Sequence, residues 1–275
     1  MHKFEREAMN TTMELTIDGV EKNYAASAAE DLFWALGNLE EQLSMFISYS
    51  EISIINLMKP GDIRRVNDTT LEVLAGAMYV SELTKGAVDI CMGEFFLNAK
   101  GKEKIAEPRA AKFALSPDEL LVQKLEDGRI DLGAIGKGFA VDFLADRLVN
   151  TWGITQALIS FGGSSILALD PPTGADSWEL TFAGKYIPDL QIKNCAIGAS
   201  GTAVQGEHIL DCRTKRPPQN APYRAWAICD SALLADGLST SFMLLTREEI
   251  VEICKKENMR AALQQHDGDE LELLP

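Results

Sequence analysis

The stretch "LLADGLSTSFMLL", residues 233–245, has the composition of a buried helix, except that one acidic residue, Asp236, lies among its apolar side chains. An ionised carboxylate removed from water is costly unless a partner compensates its charge. Thr240 follows four residues later, so a helix places its hydroxyl on the same face, and Gly237 between them predicts an open surface. This oxygen pair suits Mg²⁺, which takes few protein ligands. The alternative is that backbone N–H groups or a lysine satisfy Asp236.

A second segment, "DLGAIGKGFAVDFLADRL" at residues 131–148, places three glycines before a helix that starts near Lys137. A glycine-rich turn that opens a helix exposes backbone N–H groups to an anion, and the helix dipole adds attraction. The spacing is neither that of a dinucleotide-binding motif nor that of a P-loop. Tight packing of the turn against another element explains the glycines equally well, so both interpretations stay open.

Two further segments carry polar groups next to turns. Gly162 and Gly163 end the apolar run of "SFGGSSILALD", which indicates a β-bulge or a place where a ligand approaches the backbone. In "GEHILDCRTKRP", residues 206–217, His208 is one of only three histidines and is the natural candidate for proton transfer near pH 7. A solvated histidine in a surface turn with a salt bridge is the alternative.

The composition limits the classes of function. The chain has 275 residues, of which 46% are apolar, enough for a substantial core. The formal net charge of -15 argues against nucleic acid or an anionic membrane as the main partner. The five cysteines form no C-x-x-C pair, which favours reduced thiols and a cytoplasmic location. The N-terminus has no leader pattern and no run approaches the roughly 20 apolar residues of a spanning helix, so we expect no membrane segment.

Helices and strands are mixed without strict β-α-β alternation, so we predict an α+β fold. Apolar spacing predicts helices over 25–46, 69–84 and 138–151, around Asp236 and after Thr246, with capping boxes formed by Thr69 with Glu72 and by Thr246 with Glu249. The polar stretch 97–117 is expected to be irregular. Strands are predicted at 13–17, 157–161, 166–169, 178–182, 225–229 and, as the last strand, 260–264.

Taken in order, these segments resemble the motifs of the ApbE-type FAD:protein FMN transferases. The resemblance spans nearly the whole chain, and it implies one domain over residues 1–275 with mostly antiparallel sheets around a flavin nucleotide cleft. The most specific matches are the glycine–lysine segment and "ADGLST". The matching segments are "MNT" (9–11), Ser48 and Tyr49 followed by "SEISIIN" (50–56), "GAVD" (86–89), "DLGAIGKGFAVD" (131–142), "GGS" (162–164), "HILDCRTKRP" (208–217) and "ADGLST" (235–240).

The resemblance also implies roles for individual residues. Asp236, Thr240 and the backbone carbonyl of Gly136 are expected to hold Mg²⁺, and His208 is expected to be the catalytic residue. The flavin and adenine of FAD are expected to contact Met9, Tyr49, Ala87, Val88, Asp89, Lys137 and Asp142.

The implied reaction is Mg²⁺-dependent transfer of FMN from FAD, the substrate, to a Ser or Thr hydroxyl of an acceptor flavoprotein, with release of AMP. Two alternatives stay open, a Mg²⁺-dependent FAD pyrophosphatase and a non-catalytic FAD-binding protein. Some positions depart from the family pattern. Asn10 and Lys215 replace glycines, Cys212 replaces a proline, and Ser164 stands where an aspartate is usual. We therefore expect the turn after His208 to differ from that of the family.

Overall fold

The computed structural model describes residues 1–187, 190–201 and 209–275. It confirms the predicted α+β class. The helices in these ranges are α1 (Lys22–Leu43), α2 (Glu51–Leu57), α3 (Asp68–Leu83), α4 (Gly93–Ala99), α5 (Gly136–Trp152), α6 (Ala232–Phe242) and α7 (Arg247–Lys256). The strands are β1 (His2–Ala8), β2 (Thr11–Ile17), β3 (Ile63–Arg65), β4 (Lys112–Ser116), β5 (Leu121–Glu126), β6 (Ala157–Phe161), β7 (Ser165–Ala168), β8 (Cys195–Gly201), β9 (Arg224–Cys229), β10 (Arg260–Gln264) and β11 (Glu272–Leu274).

Eight of the strands form one antiparallel sheet in the order β1-β2-β6-β7-β8-β9-β10-β11. The alternation that predicted β2 is the physical reason for its orientation, since successive side chains of a strand point to opposite faces. Met13, Leu15 and Ile17 are fully buried. Met13 pairs with Phe161 of β6, and the ladder continues to Ile17.

Helices α1, α5 and α6 cover one face of this sheet, with α6 lying on β8 and β9 and α5 lying on α6. Two glycines permit this close packing. A Cβ on Gly198 of β8 would lie 1.9 Å from the backbone oxygen of Ala235, and a Cβ on Gly138 of α5 would lie 2.1 Å from that of Ala232. Both contacts are backbone contacts that cannot move aside, so α6 is fixed at close range between the sheet and the start of α5.

The segment between β7 and β8 crosses the other face of the sheet. Residues 178–182 do not form the predicted strand, because Trp178 and Phe182 make only isolated bridges. Their side chains instead pack on the sheet, and the ring of Phe182 meets that of Trp226 edge-on at 5.9 Å. The apolar residues of this loop and of the sheet thus form a second hydrophobic cluster, separate from the main core.

Strands β3, β5 and β4 form a separate three-stranded antiparallel sheet. Phe113 and Val122 of this sheet belong to the same core cluster as Met13, Leu15 and Ile17 of the large sheet. Lys124 of β5 is almost completely buried, and its ammonium donates to the carbonyl of Gly128 at 2.7 Å and to that of Ile55, near the end of α2, at 3.4 Å. Burial lowers the pKa of Lys124.

Several predicted boundaries change in the structure. The capping box predicted at Thr69 is wrong, because α3 begins one residue earlier and its N-cap is Asn67. The second predicted box is confirmed, since the Thr246 hydroxyl and the Glu249 carboxylate each accept from the other residue's backbone N–H. Stretch 97–117 contains the end of α4 and all of β4, and β11 follows the strand predicted to be last. Within the described ranges, no helix is long and apolar enough to cross a bilayer.

Candidate active site

Asp236 lies on α6 with only 2% of its surface exposed, and four hydrogen bonds compensate its charge. Its Oδ1 accepts from the Ser165 hydroxyl at 3.0 Å and from the Lys137 ammonium at 3.1 Å. Its Oδ2 accepts from the backbone N–H of Gly138 at 2.9 Å and from the same ammonium at 3.2 Å. The carboxylate therefore faces both a lysine and the first turn of α5, where the helix dipole favours negative charge.

The glycines of the two motifs have packing roles in this arrangement. Gly138 lets the first turn of α5 approach α6, so tight packing and donation of a backbone N–H to the Asp236 carboxylate occur together at this turn. The open surface predicted at Gly237 is wrong. A Cβ there would lie 2.9 Å from Val80 and 3.1 Å from Ile135, because that side of α6 packs against apolar side chains.

Thr240 lies one helical turn after Asp236, and its hydroxyl oxygen is 2.9 Å from that of Ser200 on β8. The Ser200 oxygen is also 3.0 Å from that of Ser239. The side of α6 that carries Asp236 and Thr240 therefore presents oxygen atoms. The sequence did not predict Ser165, Ser200 or Ser239 as members of this group, although Ser165 is the second residue after the glycine pair Gly162 and Gly163.

The donor set fits Mg²⁺. Asp236 and Thr240 offer a carboxylate and a hydroxyl, and Gly136, whose carbonyl is the third predicted ligand, is the first residue of α5. The Lys137 ammonium lies 3.1 Å from the Asp236 carboxylate, so this carboxylate already pairs with a positive charge. In the described part of the chain, no group of three or more His, Cys, Asp or Glu side chains could hold a metal. One carboxylate with neutral oxygens suits an ion that is completed by water and substrate phosphates.

Asp142 of α5 faces the start of α6. Its Oδ1 accepts from the backbone N–H of Ala232 at 2.8 Å, and its Oδ2 accepts from that of Leu233 and from the Ser231 hydroxyl, each at 2.9 Å. The two backbone N–H groups belong to the first turn of α6 and have no acceptor within the helix. Burial raises the pKa of Asp142 above its ordinary value, against the opposing effect of these three hydrogen bonds. The structure thus places Asp142 as the residue that holds α6.

Residues 87–89 form the support for the turn that follows position 208. Ala87 and Val88 are buried, and the half-buried Asp89 caps a short 3₁₀ turn by accepting from the backbone N–H of Cys91 at 2.9 Å. The carbonyl of Ala87 accepts from the backbone N–H of Cys212 at 3.1 Å. His208 itself lies outside the described residues, so the structure places the turn after it and not its side chain.

The turn at residues 211–216 is fixed by charged groups. Arg213 donates to the Asp211 carboxylate through its backbone N–H at 2.9 Å and through Nη2 at 2.7 Å. Burial opposes ionisation of Asp211, but these bonds outweigh it and hold the pKa of that carboxyl below its ordinary value. Lys215 adopts the left-handed conformation, with φ at 59°, and its ammonium lies 4.8 Å from the ring centroid of Phe95 on α4.

The remaining two predicted flavin contacts lie on loops. Tyr49 is 67% exposed and directly precedes Ser50, whose hydroxyl caps α2. Met9 and Asn10 form the two-residue turn between β1 and β2, with φ angles of 51° and 60°. Two positive φ angles are typical of this kind of hairpin turn, and asparagine tolerates them better than most residues do. Asn10 therefore fits the turn although the family pattern has glycine there.

Known proteins resemble this chain in sequence and in fold. The ApbE family model matches residues 9–263. The FAD:protein FMN transferase of Escherichia coli K12 is 24% identical over 96% of this chain and 84% of its own length, and that of Vibrio cholerae is 26% identical over 78% and 72%.

Two solved structures share the fold. The apo flavinyl transferase ApbE of Pseudomonas stutzeri superposes with a TM-score of 0.82 at 22% identity, covering 99% of this chain and 95% of that one. The ApbE protein of Thermotoga maritima superposes with a TM-score of 0.81 at 21% identity, covering 99% and 96%. Because the family model matches almost the whole chain, this chain belongs to the ApbE family.

Proposed function

We propose that this protein transfers FMN from FAD to a Ser or Thr hydroxyl of an acceptor flavoprotein and releases AMP. The observation that carries the proposal is the buried Asp236 carboxylate, which is held between Lys137 and the first turn of α5 and is one helical turn from Thr240. The names of the curated relatives, FAD:protein FMN transferase, supply the reaction that this arrangement would serve.

In this proposal Asp236, Thr240 and the carbonyl of Gly136 would hold Mg²⁺ for the binding of FAD. When bound there, the ion supplies positive charge next to the phosphate oxygens. Lys137 adds a second positive charge, and its side chain is 26% exposed, so it can turn from Asp236 towards a phosphate. The dipole of α5 adds partial positive charge at the start of this helix, which also favours an anion.

The chemical step is a substitution at phosphorus. The acceptor hydroxyl oxygen forms a bond to the FMN-side phosphorus, the bond from that phosphorus to the bridging oxygen breaks, and AMP leaves with the bridging oxygen. We assign the proton of the acceptor hydroxyl to His208, since a positioned histidine is a suitable general base near neutral pH. The turn at 211–216, which is anchored to residues 87–89, would fix the chain on the C-terminal side of this histidine.

Binding of the flavin and adenine is assigned to Met9, Tyr49, Lys137 and the segment 87–89. The exposed ring of Tyr49 is available to stack on a flat ligand, which is a recurrent source of affinity. Asp142 contributes by holding α6, and thus Asp236, in place. We also propose that residues 1–275 form one domain, that the protein is cytoplasmic, with its five cysteines as free thiols, and that it does not bind nucleic acid.

One assay tests the reaction and its alternatives. The protein is incubated with FAD and Mg²⁺, with and without co-expressed acceptor flavoproteins, and AMP, free FMN and in-gel flavin fluorescence are measured. AMP with covalent flavin on the acceptor supports transfer. AMP with an equal amount of free FMN would identify a pyrophosphatase, and intact FAD with every acceptor would leave only an FAD-binding protein.

The role of His208 has its own control. His208→Ala should leave FAD binding nearly intact and lower the rate of transfer by about 10²–10⁴, the usual contribution of a general base. His266→Ala removes the same side chain from an exposed site near the C-terminus and should change neither quantity. Loss of FAD binding in parallel with the rate of the His208 variant would make His208 a pocket residue instead.

A further inference from the structure

Three hydroxyl groups form a hydrogen-bonded chain between Thr240 and the backbone of α6. The Thr240 and Ser200 oxygens are 2.9 Å apart, and the Ser200 and Ser239 oxygens are 3.0 Å apart. Ser239 then donates to the carbonyl of Asp236 at 2.9 Å. Ser200 is the member of this hydroxyl chain that comes from another element, since it lies on β8 whereas the others lie on α6.

The distances decide the direction in which the hydrogens point. A hydroxyl has one hydrogen to donate and two lone pairs to accept with. Ser239 reaches the Asp236 carbonyl at 2.9 Å, whereas the competing bond from Thr240 to the same carbonyl is 3.4 Å long. A bond of 3.4 Å is weak compared with one of 2.9 Å. Ser239 therefore uses its hydrogen on the carbonyl, so Ser200 donates to Ser239, and Thr240 donates to Ser200.

We propose that Ser200 is a positioning residue for the cation site. By accepting the hydrogen of Thr240, it turns that hydrogen away from the side of α6 that carries Asp236 and keeps a Thr240 lone pair available to a cation. The proposal rests on the assignment of Mg²⁺ to Asp236 and Thr240 in the proposed function. The position of Ser200 is fixed by its own strand, because Gly198, two residues earlier, packs directly on the backbone of Ala235.

Removing the Ser200 hydroxyl has a defined consequence. Thr240 then has only the 3.4 Å bond to the Asp236 carbonyl for its hydrogen, and its oxygen is no longer held from the β8 side. Loss of a group that orients a metal ligand typically costs 10- to 100-fold in metal affinity. We therefore expect Ser200→Ala to raise the dissociation constant for a divalent cation by about 10-fold.

The experiment uses Mn²⁺ as the probe, because it takes the same oxygen ligands as Mg²⁺ and its free-ion EPR signal reports binding directly. Mn²⁺ is titrated into the full chain with and without FAD, with FAD alone as the blank. Ser200→Ala should bind Mn²⁺ about 10-fold more weakly than the unmodified protein, and Ser200→Thr, which keeps the hydroxyl, should bind it as the unmodified protein does.

Two further variants separate the hydroxyl chain from general effects on α6. Ser241→Ala is the matched control, since its buried hydroxyl donates to the Gly237 carbonyl at 2.8 Å within the same helix but is outside the hydroxyl chain, and it should not change Mn²⁺ binding. Ser239→Ala removes the acceptor of Ser200, which then turns its hydrogen to Thr240, and should also weaken Mn²⁺ binding. This second break in the hydroxyl chain tests the proposal independently if Ser200→Ala folds poorly.

The outcomes that overturn the inference differ from those that overturn the proposed function. Tight Mn²⁺ binding by Ser200→Ala, or equal weakening in Ser241→Ala, would refute the role of Ser200 and leave the cation site intact. Failure of Ser200→Thr to bind Mn²⁺ would likewise refute the role of its hydroxyl. An unmodified protein that takes no Mn²⁺, with or without FAD, would remove the cation site itself, and the role of Ser200 with it.

Discussion

Asp236→Asn separates the structural role of the buried carboxylate, which holds α5 to α6, from its proposed role in binding a cation. An asparagine can keep the local hydrogen bonds. Its amide oxygen, placed at the Oδ2 position, accepts from the backbone N–H of Gly138 and from Lys137, and its NH₂ group donates to the Ser165 hydroxyl, which can rotate to accept. The loss is limited to the charge-assisted part of these bonds, and we expect the free energy of unfolding to fall by about 1 kcal/mol.

Asp236→Ala lacks these replacements. The backbone N–H of Gly138 loses its acceptor inside the protein, which costs about 1–3 kcal/mol, and the Ser165 hydroxyl, which is fully buried, loses its acceptor too. Lys137 is 26% exposed and can turn to water, so its loss adds little. We expect a total of about 3 kcal/mol, at the lower limit for breaking a buried pair.

Both variants should abolish Mg²⁺-dependent AMP release, because neither leaves a carboxylate to bind the ion. Urea unfolding measures the stability difference, and AMP release across a Mg²⁺ titration measures the function. Asp146→Asn, on the exposed side of α5, is the control and should change stability by less than about 0.5 kcal/mol. AMP release by Asp236→Asn at the unmodified rate, or equal destabilisation by the two Asp236 variants, would refute the reasoning.

Three other substitutions test neighbouring parts of the structure. Tyr49→Ala should weaken FAD binding in a fluorescence titration. Its free energy of unfolding should change by less than about 0.5 kcal/mol, since the ring is mostly exposed. A variant that melts early but binds FAD normally would show that Tyr49 is a structural residue. Cys212→Pro should lower the free energy of unfolding by about 1–3 kcal/mol, because it removes the hydrogen bond from the Cys212 N–H to the Ala87 carbonyl. Lys215→Gly should be nearly neutral, since relief of the positive φ offsets the lost cation–π contact with Phe95. Equal effects of the two variants in urea unfolding would contradict this expectation. The hydrogen bonds from Arg147 lower the pKa of Asp31 in the folded state. The stability that Asp31 contributes is therefore present above its ordinary pKa of about 4 and is lost as the pH falls below that value. In urea unfolding, Asp31→Asn should reduce the loss of stability between neutral and acid pH, and an unchanged pH dependence would refute the pairing.

Local patterns predicted the elements whose cause is local. The alternation at 13–17 lies within β2, the apolar run at 157–161 is β6, and the capping pair of Thr246 with Glu249 opens α7. In each case the residues that decide the structure are within a few positions of one another. Strand β1 was missed because its alternating residues are mostly charged, and β8 was missed because "CAIGASG" offers small side chains where a strand pattern has large ones.

The contacts of the candidate site depend on distances that no spacing reveals. The motifs placed Asp236, Lys137 and Gly138 on their helices, but the bond from Ser165 spans 71 positions and that from Ser200 to Thr240 spans 40. Residues 178–182 show the same limit in reverse. Their apolar run is compatible with a strand, and only the presence of a hydrophobic sheet face nearby determines that they pack as a loop.

Helices α5 and α6 each provide a carboxylate that accepts from backbone N–H groups at the N-terminus of the other helix. This exchange fixes the position of Asp236 in the candidate site. Asp142 of α5 accepts from the backbone N–H groups of Ala232 and Leu233 at the start of α6, while Asp236 of α6 accepts from that of Gly138 at the start of α5. Each helix therefore fixes the other through a carboxylate, which is buried in Asp236 and half-buried in Asp142 and lies where the helix dipole favours negative charge. The Gly138 N–H holds the Asp236 carboxylate in place, so the interaction that stabilises the helix pair would also orient the proposed cation ligand.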